Sequence, residues 1–127
     1  MDKAALVDFD VKVGAEILEI LDRAKLRMSV AMWAYLSDYE DWRLVLAGRP
    51  FNNRGLKDGY ALVHDTLSAG GIRPSQTPIL MIFPMTDPFI VALRRFFGKT
   101  ASVDGMRLGG HVIGDRYLAD AYVYRIK

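Results

Sequence analysis

Near the end of the chain, Arg107, His111, Asp120, Tyr122 and Tyr124 fall at spacings that let one sheet face collect them. A carboxylate beside an imidazole can fix its tautomer and orient it for acid–base work, while arginine and tyrosine hold an anion. Without the histidine, the same arginine and tyrosines make a stacking face for single-stranded nucleic acid, with Gly109-Gly110 leaving room for bases. The plainest reading is a cross-strand ion pair and an aromatic ladder on a half-exposed sheet.

These residues share a face only if two strands hold them in register. Met106–Ile113 and Tyr117–Ile126 alternate in polarity, and Gly114-Asp115 between them reads as a two-residue hairpin turn. That turn sets Ile113 opposite Arg116, His111 opposite Leu118, Gly109 opposite Asp120 and Arg107 opposite Tyr122. Simple alternation then sends Met106, Leu108, Val112, Ala119, Ala121 and Val123 into the core. Arg107, His111, Asp120, Tyr122 and Tyr124 go outward, with Asp120 in diagonal reach of both Arg107 and His111.

The hairpin needs a sheet to join. Val30–Leu36 is an almost unbroken apolar run, and Trp42–Ala47 is a second one after a short polar link. Together they read as a hairpin whose first strand is buried on both faces. Ile79–Phe83, a short apolar run between prolines, reads as a strand joined by a parallel crossover. Helices are expected over residues 4–25, with Asp2 or a later aspartate as cap, and over Leu56–Ala69, capped by Asn52 or Asn53. Thr86-Asp87-Pro88 announces a third helix, with Asp87 as cap and Ile90, Leu93 and Phe97 buried. The expected fold is one α+β domain over residues 1–127, in the order α-β-β-α-β-α-β-β. Its five-stranded mixed sheet carries helices mainly on one face.

Composition narrows the function classes. The 127 residues are 51% hydrophobic, which suits one packed core. The net charge is +2 and the pI near 9.0, a mild basicity that does not by itself imply nucleic acid. No cysteine is present, which excludes disulfides and thiolate zinc sites. No signal peptide or membrane span is read from the sequence, so a cytoplasmic protein with no membrane partner is expected. Asp38, Glu40 and Asp41 crowd the first hairpin's link, but lack the glycine and distal glutamate of a calcium loop. No metal or cofactor is expected. Phosphate loops, GxSxG elbows and HExxH are absent. His64-Asp65 reads as a surface pair. Arg94-Arg95 beside Lys99 is a small basic spot at a helix end, where cations favour the dipole.

Two stretches, W-R-L-V-L-A at Trp42–Ala47 and D-A-Y-V-Y-R at Asp120–Arg125, resemble patterns in small uncharacterised bacterial proteins. No activity attaches to that resemblance, so it carries over no function. The expectation is a non-catalytic binding module that uses its sheet face, either on a protein partner or in self-association. The alternatives are nucleic-acid binding through Arg107, Tyr122 and Tyr124, and an enzyme built on a His111/Asp120 acid–base pair.

Overall fold

The computed structural model describes residue 6, residues 8–100 and residues 103–127. The expected cap at Asp2 lies outside them. The described elements are α1 (Asp8–Arg23), β1 (Val30–Leu36), β2 (Asp41–Ala47), α2 (Leu56–Ala69), β3 (Leu80–Phe83), α3 (Pro88–Phe97), β4 (Arg107–Leu108), β5 (His111–Ile113) and β6 (Arg116–Ile126). The sheet runs β3-β2-β1-β6-β4, and β5 also pairs with β6. This is the expected α+β domain, with one expected strand divided at Gly109-Gly110 into β4 and β5, so the sheet has six strands. Among the described residues no helix is long and apolar enough to cross a membrane.

β1 sits at the centre because its side chains are almost all apolar and buried. Its even-numbered residues, Val30, Met32, Ala34 and Leu36, enter one core with α3's Phe89, Ile90 and Leu93. Ala31 and Trp33 enter the other, with Ile17 and Leu21 of α1 and Val63 and Leu67 of α2. A strand with apolar side chains on both faces has to be covered on both. Two helices therefore lie on one face of the sheet and one on the other. β2 pairs antiparallel with β1 and parallel with β3, the latter through the expected crossover along α2. β3 is an edge strand, and Tyr60 of α2 closes part of that edge. Its hydroxyl donates to the Leu80 carbonyl at 3.0 Å and accepts from the Ile82 amide at 3.2 Å. A partner strand would otherwise meet those groups.

The helix ends follow local chemistry. Asp87 caps α3 as expected, accepting from the Phe89 amide at 2.9 Å. The caps expected at Asn52 or Asn53 do not form. Gly55 precedes α2 with no side-chain cap, and Asn52 accepts from the Met85 amide at 3.0 Å instead. That bond ties the start of α2 to the turn after β3. Leu56 is exposed in the first turn of α2, and Gly59, Val63 and Leu67 form its buried side. Phe89 joins Ile90 and Leu93 on the buried side of α3 and is fully buried. α1 ends with Lys25 at φ 63°, where Lys25 N–H donates to Asp22 O and Leu26 N–H to Leu21 O. These are the paired bonds of a left-handed helix stop, here without glycine.

β6 bulges twice against β1, beside Ala119 and beside Tyr124. A bulge lets neighbouring residues escape strict alternation. At the second one, Tyr124 and Arg125 both reach α1. Arg125 donates from both Nη atoms to Asp22, at 3.1 and 2.8 Å, and also to the Met28 carbonyl at 3.0 Å. This planar fork holds the end of α1 onto the last strand. The Arg125 hydrogen bond lowers the Asp22 pKa below the usual carboxylate value. The unfolded chain then takes up a proton at higher pH than the folded one. The stability from this pair is complete above the ordinary carboxylate range and is lost as pH falls through it and below. Asp22→Asn should therefore lower stability at neutral pH and flatten the acid limb of a urea-denaturation series against pH. An unchanged limb would mean that the pair contributes nothing to folding.

Candidate binding face

The register expected for the last hairpin is present. Arg107 pairs with Tyr122, His111 with Leu118 and Ile113 with Arg116. The expected facing holds only for its first half. Leu108, Ala121 and Val123 enter the α3-side core, as do Leu118 and Ile113. For Ala121 and Leu118, three residues apart, to share a face, the strand must rotate between them. The bulge at Ala119 supplies that rotation. The neighbouring chain turns with it. Gly110 has φ +70°, and a Cβ on Gly109 would lie 2.9 Å from the Ala119 carbonyl oxygen. Gly109-Gly110 therefore serves the backbone, and the opening for bases that the sequence suggested has a structural occupant.

The rotation divides the expected set. Directly paired residues of an antiparallel ladder share a face. His111 thus belongs with Leu118 on the α3 side, at its exposed rim. Asp120 pairs with Tyr35, which alternates onto the α1/α2 side. Histidine and carboxylate stand on opposite faces, and the structure does not bring them together. Val112, expected in the core, is 69% exposed, and Ile113 takes its place at 4%.

The remaining members do assemble. Arg107 Nη2 lies 2.8 Å from Asp120 Oδ2, and Asp120 Oδ1 accepts from the Ala121 amide at 2.8 Å. Arg107 stands 6.0 Å above the ring of Trp42, at the outer limit of a cation–π contact. Trp42 meets Tyr35 edge-on at 5.7 Å. Tyr122 pairs across the ladder with both Arg107 and Trp33 and meets Tyr124 edge-on at 5.4 Å. Tyr35 and Trp42 were not legible as part of this set. The available signal was the hairpin itself, which places its outer end beside β6.

Tyr124 belongs more to the fold than to the surface. Its hydroxyl donates to the Val11 carbonyl at 2.6 Å and accepts from Trp33 Nε1 at 3.0 Å. Burial of the phenol pushes its pKa up to about 12. α1 approaches this pair so closely that a Cβ on Gly14 would lie 2.2 Å from the Tyr124 hydroxyl oxygen. The glycine that breaks the helical pattern of α1 is the one that admits the tyrosine.

Along the α1/α2 side, beyond the helices, lies one stripe across the sheet. Trp42 and Tyr35 give way to Asp120, Tyr122 and Arg107, then to Tyr117 and Val112. Tyr117 is 48% exposed. Trp, Tyr and Arg are the types that dominate the energetic centres of protein interfaces. Among the described residues no group of three or more His, Cys, Asp or Glu is placed to hold a metal ion. No family model, curated protein or solved structure matches the chain.

Proposed function

We propose that the chain is a non-catalytic binding module that docks a protein surface, its own copy or another chain, onto the Trp42–Tyr35–Tyr122–Arg107 stripe. The observation that supports this most is the Arg107–Asp120 ion pair set among aromatic rings and continued by exposed Tyr117 and Val112. An arginine already held in place loses little freedom on binding, and rigid aromatic rings bury large areas. The neighbouring β1–β2 link carries Asp38, Glu40 and Asp41. That charge disfavours a polyanion and suits a neutral or basic protein surface.

Val112→Glu tests the reading, because it places a charge on the exposed end of the stripe without touching the core. In sedimentation velocity and native co-purification, the wild-type chain should associate with concentration or retain a partner, and the variant should lose either property. A wild type that stays monomeric, and that retains nothing the variant loses, would contradict it.

A further inference from the structure

We infer that the opposite end of the sheet, where β2 and β6 finish and β1 begins, is a basic groove that binds the phosphate backbone of a nucleic acid. Four cations from four separate segments meet there. Arg27 precedes β1, Arg49 follows β2, Lys127 follows β6 and Arg94 lies on α3. Arg27, Arg49 and Lys127 line one cavity of about 260 Å³ with Met28 and Ser29, and no acidic side chain lines it. Arg27 and Lys127 also line a second cavity of about 580 Å³, which adds Arg125, Thr100 and Gly98. The shared residues make the two spaces neighbours along one groove. Arg94 is held at its margin, donating through Nε to a main-chain oxygen of Lys127 at 2.6 Å.

Two acids, Asp22 and Asp104, lie near these cations. Asp22 is held by Arg125 and also lies in the field of Arg27, and Asp104 lines the larger cavity and the adjoining one against α1. Arg27, Arg49 and Lys127 are exposed, so their charge can meet a ligand, whereas Arg94 is already engaged by Lys127. At the other end of the sheet Asp38 and Glu40 sit in the β1–β2 turn, Asp41 opens β2 beside Arg43, and Asp115 sits in the last turn beside Arg116. Local potential rather than net charge steers a polyanion, and the lining of the two cavities carries Arg27, Arg49, Arg125 and Lys127 against Asp104. The groove joins two cavities and presents little aromatic surface, since Tyr124 is its one aromatic lining residue and its hydroxyl is engaged within the fold. Contacts to phosphates without base stacking give binding that ignores sequence and falls with salt.

The test is fluorescence anisotropy of a labelled, mixed-sequence single-stranded DNA, titrated with the full chain at several chloride concentrations. The wild type should bind at low salt. The double variant Arg27→Gln/Arg49→Gln should reduce the slope of log affinity against log salt by about 1.4, two phosphate contacts' worth. The charge-matched pair Lys12→Gln/Lys57→Gln, on exposed faces of α1 and α2, should leave the slope unchanged. Circular dichroism would establish that both variants are folded. Three outcomes would overturn the proposal: no binding at low salt, an equal loss in both double variants, or displacement of the DNA by inorganic phosphate at matched ionic strength. The last would assign the groove to a free phosphate.

Discussion

Replacing Gly14 with alanine should destabilise the protein by about 3 kcal/mol, although alanine is the better helix former. The added methyl would meet the Tyr124 hydroxyl oxygen at 2.2 Å, Tyr124 Cζ at 2.8 Å and Trp33 Nε1 at 2.9 Å. Those atoms cannot give way cheaply. The hydroxyl is bonded to Val11 and Trp33, and Trp33 Nε1 also donates to the Asp10 carbonyl at 3.2 Å. Moving either ring breaks bonds in a half-buried network, or lifts α1 from the sheet. The gain in helix propensity, about 1 kcal/mol, is too small to offset this. Tyr124→Phe removes the closest atom. On that background Gly14→Ala should cost less than in the wild type, with a coupling of about 1 kcal/mol or more in urea denaturation. Additive effects would mean that glycine and tyrosine do not confront each other.

Phe89→Ala should cost about 3–5 kcal/mol, the range for deleting a buried aromatic side chain. Phe89 is 0% exposed and packs against Phe83 at a centroid distance of 5.8 Å. Among the described helices α3 alone covers its face of the sheet, and it does so through Phe89, Ile90 and Leu93. The site has little freedom to collapse. Asp87 fixes the start of α3, and the Gly114 turn presses against it, where a Cβ would lie 2.7 Å from the Pro88 carbonyl oxygen. A thermal or urea midpoint that barely moves would show that α3 is loosely held.

Much of this fold was legible because strong local signals agreed with the global arrangement. The uninterrupted apolar run of β1 indicated cover on both faces. Asp87-Pro88 marked a helix start, and Gly114-Asp115 fixed the register of the last hairpin residue for residue. The rotation within that hairpin was not legible from alternation, because a bulge shifts the pattern by one residue without changing composition. A conflict did point to it. The turn set Leu118, an apolar residue, opposite His111 on a face meant for polar groups, and two glycines stood where the facing strand had to rotate. The expected grouping of side chains is accordingly present only in part. Arg107, Asp120 and Tyr122 converge, whereas His111 leaves the set and Tyr124 serves the packing of α1. Tyr35 and Trp42 were missed because strand order, which brings β1 and β2 alongside β6, is a long-range property.

If the aromatic and arginine stripe is where this protein meets another protein surface, binding must be felt there first. The most direct measurement is a two-dimensional ¹⁵N–¹H NMR series of the full chain, recorded over increasing concentration or with a co-purified partner. Shifts and line broadening are expected at Tyr35, Trp42, Arg107, Val112, Tyr117 and Tyr122, with β3 and α3 unaffected. Perturbations confined to other surfaces, or spectra unchanged throughout, would contradict the claim.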